Sequence, residues 1–126
     1  MADITPQVPT GRQMIQGYGE GCFRIAGRRH EGSVLVFPER TLAWPVGDTT
    51  AITIETLEPV LASGAAVRVL LVGCGRRTTA LDPAVREALR GAGVGVETMD
   101  TGAACRTFNV LLAESRAVAA ALIAVG

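Results

Sequence analysis

An almost unbroken apolar segment near the middle of the chain constrains the fold more than any other feature. It runs from Val67 to Val72 and is closed by Gly73-Cys74-Gly75. A strand with apolar side chains on both faces must be covered on both sides, as strands of parallel sheets are. The segment therefore predicts the central strand of a layered α/β domain.

The residues after this strand predict a helix and a second parallel strand. Asp82 suits the N-cap of a helix and Pro83 its first position, while Gly91 and Gly93 are typical of its end. Val94 to Met99 then predicts a strand. A strand, a short helix and a strand in this order indicate a right-handed parallel crossover.

The last part of the chain has two interpretations. Thr101 can cap a helix from Gly102 to about Ala113, and Ala117 to Val125 is apolar on every side. Helix propensity favours one long helix, because alanine is the best helix former. The alternative is a break near Glu114 followed by a buried strand. The residue pattern does not separate the two.

The N-terminal part of the chain has a different pattern, in which short apolar runs alternate with glycine-rich turns. This pattern predicts an antiparallel meander. The predicted strands lie at Met14-Ile15, Cys22 to Ile25, Ser33 to Phe37, and Thr41 to Trp44. The polar segment from Gly27 to Gly32 is predicted to be the turn that joins the second strand to the third, and a short helix is predicted to end at Ser63.

Composition excludes several functional classes. Twelve acidic residues balance twelve basic ones, so no net field attracts nucleic acid, and no apolar run approaches the ~20 residues of a transmembrane helix. The N-terminus lacks the pattern of a secretory signal, which predicts a cytoplasmic protein. Three cysteines without a C-x-x-C spacing argue against a disulfide framework or a zinc ribbon and fit a reducing compartment.

Several segments resemble one protein family over about Met14 to Val125. They are Gly32-Ser33-Val34-Leu35-Val36, Trp44, Leu70-Leu71-Val72-Gly73-Cys74-Gly75, and Met99-Asp100-Thr101-Gly102-Ala103-Ala104-Cys105-Arg106-Thr107-Phe108-Asn109-Val110-Leu111. The family has no known biochemical function, and it includes mitochondrial respiratory complex I assembly factor 3 and the adipogenesis-associated domain protein. The resemblance implies a three-layer α/β fold whose chain ends in a strand. It also implies a mitochondrial relative that acts as a non-enzymatic assembly factor on a membrane complex.

With the last strand assigned in this way, the predicted fold class is three-layer α/β. Its mixed sheet combines an N-terminal antiparallel meander with a C-terminal parallel β-α-β-α-β unit. Residues 13–126 are predicted to form a single domain, and residues 1–12 a disordered lead-in.

Polar residues are predicted to converge where the parallel strands end, which is where open α/β sheets bind ligands. The candidate binding residues are Arg76, Arg77, Asp100, Thr101, Arg106 and Asn109. Guanidinium groups stay charged and match carboxylate or phosphate groups, so the set suits recognition of an anionic group. The alternative is that Arg106 and Asn109 only tie the helix to neighbouring loops by hydrogen bonds.

No complete catalytic set is visible in the sequence. The glycines around Cys74 lack the third glycine of a dinucleotide fingerprint and the Gly-Lys-Ser/Thr of a P-loop. Cys105 could be a nucleophile near a helix start or a small buried residue, and its neighbours Ala104, Phe108 and Leu112 favour burial. The only histidine, His30, is expected in a solvated turn, and no residue spacing suits a metal.

The sequence thus favours a non-catalytic binding module that acts through unidentified protein partners, in the manner of an assembly factor on respiratory or other complexes. No catalytic residue, metal or cofactor is predicted, and neither nucleic acid nor a transmembrane segment is expected. The alternative is a domain, or an enzyme, that binds a small anionic molecule at the polar residues.

Overall fold

The computed structural model describes residues 11–126, so most of the predicted lead-in lies outside the described residues. The strands are β1 (Ile15–Gly19), β2 (Cys22–Ile25), β3 (Arg28–Glu31), β4 (Val34–Val36), β5 (Thr41–Ala43), β6 (Val69–Gly73), β7 (Gly95–Met99) and β8 (Val118–Leu122). The α-helices are α1 (Glu58–Ala62), α2 (Pro83–Gly91) and α3 (Thr101–Ala113). Within this part of the chain, no helix is long and apolar enough to cross a membrane.

The larger sheet has five strands in the order β5-β4-β8-β6-β7. Strand β6 is parallel to both β7 and β8, whereas β4 runs antiparallel to β8. This confirms the mixed α/β fold, the parallel crossover and the strand at the end of the chain. One detail differs, because β8 inserts between β4 and β6. The middle position therefore belongs to β8, and β6 is an interior strand beside it.

Core residues cover both faces of this sheet. On β6, Leu70 and Val72 belong to a cluster that includes Val85 of α2, and Leu71 between them belongs to a second cluster that includes Phe108 of α3. The alternation follows from the two-residue period of a strand. Helices α1 and α2 lie on one face, while α3 and the smaller sheet cover the other. The three layers predicted from the sequence are therefore present.

The N-terminal meander divides between two sheets. Strands β1, β2 and β3 form a separate antiparallel sheet, and β4 and β5 join the larger one. The predicted turn from Gly27 to Gly32 is wrong, because Arg28–Glu31 forms β3 and pairs with β2. The chain reverses at Ala26 and Gly27, whose φ angles of 50° and 80° suit a two-residue hairpin turn. His30 consequently lies in a strand opposite Phe23, and it is half-buried.

Two aspartates begin the longer helices. The Asp82 side chain accepts a hydrogen bond from Ala84 N at 2.9 Å, which confirms the predicted cap of α2. The cap of α3 is Asp100, whose Oδ1 accepts from Ala103 N at 2.9 Å, and the prediction of Thr101 is wrong. The reason is that β7 ends at Met99, so the extended residue before the helix is Asp100, and Thr101 is already helical.

Candidate functional site

The carboxyl ends of β6, β7 and β8 meet at one end of the larger sheet, which we call the polar edge. In register, Gly73 lies between Met99 and Leu122. Past these positions the strands stay connected by the backbone, because Cys74 N donates to Met99 O at 2.8 Å and Ile123 N donates to Gly73 O at 2.9 Å. The polar edge is thus a continuation of the sheet.

Thr101 links the backbone segments of the polar edge through its buried hydroxyl. Its Oγ1 accepts a hydrogen bond from Gly75 N at 2.9 Å and donates to Ile123 O at 2.8 Å, and the residue is 0% exposed. A Cβ at Gly73 would lie 3.0 Å from both Thr101 Cα and Leu122 Cδ2, so glycine is needed for α3 to approach β6 this closely. The hydroxyl joins three segments of the chain, and no part of it faces solvent.

Asn109 ties α3 to β1. Its Oδ1 accepts from Ile15 N and its Nδ2 donates to Ile15 O, both at 2.8 Å. Such a two-point bond fixes the register of the smaller sheet against the helix. Asp100 is also engaged, because it caps the helix through Ala103 N. Three of the six predicted binding residues therefore have hydrogen bonds that hold the fold together.

The other three predicted binding residues are exposed arginines. Arg76 Nη2 donates to Gly126 O at 2.8 Å, Arg77 lies in the exposed loop that follows β6, and Arg106 is exposed on α3. Among residues 11–126, none of the three forms an ion pair with an Asp or Glu side chain. The structure therefore presents cationic groups at the polar edge on a scaffold that the engaged residues hold in place.

Two apolar residues that sequence reasoning missed lie on the same side of the molecule. The Tyr18 side chain lies against Gly102, where an added Cβ would overlap its hydroxyl and lie 3.3 Å from Arg106 Nη1. Val110, eight residues after Gly102 on α3, is 57% exposed, and Tyr18 is 47% exposed. Helical positions four residues apart share a face. Gly102, Arg106 and Val110 therefore lie along one face of α3, and Tyr18 covers the glycine. The four-residue spacing of these helix positions is visible in the sequence.

Cys105 is buried, as the sequence predicted. It is 4% exposed and packs in the cluster that contains Ala104 and Phe108. Burial raises the pKa of the Cys105 thiol to about 12, although the positive charge of Arg106 acts in the opposite direction. Almost all of this thiol is protonated at neutral pH, which makes it a poor nucleophile. Among the residues that the structure describes, no three of His, Cys, Asp and Glu are grouped so that they could hold a metal ion.

Known proteins share this sequence and this fold. Assembly factor 3 of the NADH dehydrogenase [ubiquinone] 1 alpha subcomplex from Xenopus tropicalis is 39% identical over 109 residues, which are 86% of this chain and 60% of the relative. An uncharacterised protein of Rhodobacter capsulatus is 37% identical over 122 residues, 95% of this chain and 93% of that protein. The crystal structure of an outer membrane protein from Bartonella henselae has a TM-score of 0.86 and 41% identity, covering 93% of this chain and 98% of that one.

The chain spans about 60% of the length of the vertebrate relatives that it matches, whereas it covers almost all of the bacterial ones. A model of the protein family of unknown function DUF498/DUF598 matches residues 15–123, which extend from the first strand to just past the last. The chain therefore belongs to the DUF498/DUF598 family, as the resemblance in its motifs predicted.

Proposed function

We propose that the chain is a non-catalytic protein-binding module that assists the assembly of a respiratory complex of the NADH dehydrogenase type. The observation that carries this proposal is the similarity, over 86% of the chain, to relatives named as assembly factors of that complex. The similarity covers 60% of the Xenopus relative and 93% of the Rhodobacter protein. The proposal thus assigns the assembly role to the shared domain.

The surface that we assign to partner contact is the outer face of α3 together with the adjoining polar edge. We call it the contact face, and it consists of Tyr18, Arg76, Arg77, Arg106 and Val110. Tyrosine and arginine are among the residues that most often dominate binding energy at protein interfaces. Here the half-exposed aromatic ring and the exposed valine lie at the two ends of one helical stripe, with an arginine between them.

Charge supports an acidic partner surface. The three arginines of the contact face have no Asp or Glu carboxylate within 4.0 Å among the described residues. The charges of Arg77 and Arg106 are therefore available to a partner, while Arg76 is bonded to Gly126 O. Electrostatic attraction between exposed charges raises association rates and fixes orientation more than it raises affinity. The remaining predicted binding residues, Asp100, Thr101 and Asn109, serve in this proposal to hold the arginines in place through the hydrogen bonds described above.

Deletion of the gene in its native host tests the assembly role. We expect less assembled NADH dehydrogenase on native gels and lower NADH:quinone reductase activity, both restored by the wild-type gene. A double variant, Arg106→Glu and Val110→Glu, should fail to restore assembly at wild-type protein levels. The control variant Arg28→Glu changes another exposed arginine, on β3, and should restore assembly. Normal assembly after deletion would refute the proposal, and full rescue by the double variant would refute the contact face.

A further inference from the structure

A cleft of about 400 Å³ lies at the end of the larger sheet opposite the polar edge. Strand β4 is antiparallel to β8, so Phe37, directly after β4, lies near the amino ends of β6 and β8. The walls of the cleft are Arg12, the turn from Phe37 to Arg40, and the segment from Ser63 to Val67. This volume falls within the ~300–1,000 Å³ that small-molecule sites occupy in proteins.

Backbone bonds bring the two arginines of the cleft together. Phe37 N donates to Arg40 O at 2.8 Å and closes the turn, and Gln13 N donates to Pro38 O at 3.0 Å. The second bond fixes the residue after Arg12 against the middle of the turn. The fold therefore holds the backbone that carries both arginines in place before any ligand arrives, which lowers part of the entropic cost of binding.

The two guanidinium groups keep donors available. Arg40 lies over the Phe37 ring, with 4.7 Å from Cζ to the ring centroid, and this contact orients the group without using its N–H donors. Arg12 Nη2 donates to Leu112 O at 3.3 Å, so within residues 11–126 most of its five donors have no hydrogen-bond acceptor. No carboxylate of residues 11–126 forms an ion pair with either arginine, although Glu39 lines the same cleft.

We propose that this cleft binds a small organic carboxylate that carries an apolar group. The guanidinium donors match the planar, bidentate geometry of a carboxylate. Phe37, Ala66 and Val67 also line the cleft and give its lining an apolar part for the remainder of the ligand. Glu39 reduces the formal charge of the cleft to that of one cation, which suits a monoanion better than a phosphate dianion. This site is separate from the contact face, and it does not depend on the assembly role.

Titration with benzoate, followed by amide chemical shifts, tests the site. We expect saturable shifts at Glu39, Ala66 and Val67, with no comparable change near Arg106. Benzamide has the same shape without the charge and should bind at least about 10-fold more weakly, since it cannot accept charge-assisted hydrogen bonds from the guanidinium groups. Equal binding of benzamide, tighter binding of inorganic phosphate, or shifts confined to the polar edge would each overturn the proposal.

Charge variants give an independent test. Arg40→Gln should weaken benzoate binding at least about 10-fold, whereas Arg28→Gln removes the same charge from the surface of β3 and should leave the affinity unchanged. Glu39→Gln should tighten binding, because it removes the one negative charge of the lining, and this exposed residue can be changed without loss of packing. Unchanged affinity in Arg40→Gln, or weaker binding in Glu39→Gln, would refute the assignment.

Discussion

Replacement of Thr101 by valine tests whether the polar edge is held together by one buried hydroxyl. Valine has nearly the shape of threonine, so packing against Gly73 and Leu122 is kept and only the hydroxyl is lost. The change removes the bonds of 2.9 Å from Gly75 N and 2.8 Å to Ile123 O. The N–H of Gly75 and the carbonyl oxygen of Ile123 then each lose a hydrogen-bond partner. The side chain at position 101 is fully buried, so water does not take the place of the lost hydroxyl.

The expected loss is about 2–4 kcal/mol of unfolding free energy. A buried donor or acceptor that loses its partner costs ~1–3 kcal/mol, and here two groups are affected. We place the total below the sum of the two maxima because Gly75 is only half-buried and can reach water. For a domain of this size, 1 kcal/mol corresponds to roughly 3–5 °C in Tm. A decrease of about 6–20 °C should follow.

Thr101→Ser is the matched control. It keeps the hydroxyl and removes one buried methyl group, which costs ~1 kcal/mol. Urea unfolding of both variants, with unchanged m-values, separates the two effects. We expect the valine variant to be the less stable of the two. If serine is instead the worse substitution, or if valine changes the unfolding free energy by less than about 0.5 kcal/mol, the hydrogen-bond argument is wrong and the methyl group accounts for the burial of Thr101.

Two further predictions concern glycines and thiols. Gly73→Ala should lower the free energy of unfolding in urea by ~1–3 kcal/mol, because the backbone atom Thr101 Cα lies 3.0 Å from the new Cβ. Gly102→Ala should change the free energy of unfolding by less than ~1 kcal/mol, since the Tyr18 ring can move outward and alanine favours a helix. Equal losses would contradict this. A thiol reagent should label half-buried Cys22 before Cys105. Burial raises the pKa of the Cys105 thiol from 9.0 to about 12, so the protonated thiol contributes fully to the unfolding free energy below pH 9.0. This contribution should decrease as the pH rises towards 12, and Cys105→Ser should not show this decrease.

The elements that the sequence predicted correctly are those with a local signal. The apolar run through Leu70 and Leu71 is buried on both faces in the structure, and the Asp82-Pro83 start of α2 is as expected. Each of these patterns reports on its own segment, so it needs no knowledge of strand pairing. The strand at the end of the chain is different, because an alanine-rich segment suits a helix equally well. The family resemblance, and not the residue pattern, predicted a strand there.

The failures have two causes, which are the exposure of a strand at a sheet edge and contacts between distant segments. Strand β3 (Arg28–Glu31) can be polar because it lies at the edge of a small sheet, where most of its residues are exposed. The roles of Thr101 and Asn109 come from partners at least 22 residues away in the sequence. Tyr18 and Gly102 are likewise brought together only by the fold. Residue types at these positions indicated polar groups, but not which atoms they bind.

The topology explains why the polar edge presents arginines on a surface. The chain leaves β6 through α2 to β7 and then returns through α3 to β8 on the other side of β6. The two helices lie on opposite faces, so the carboxyl ends of β6 and β8 form the switch point where open α/β sheets usually bind ligands. In this protein, the bond from Ile123 N to Gly73 O and the hydroxyl of Thr101 occupy that position. The groups that would line a crevice instead bind the chain itself, and the exposed arginines remain as the groups that we propose contact a partner.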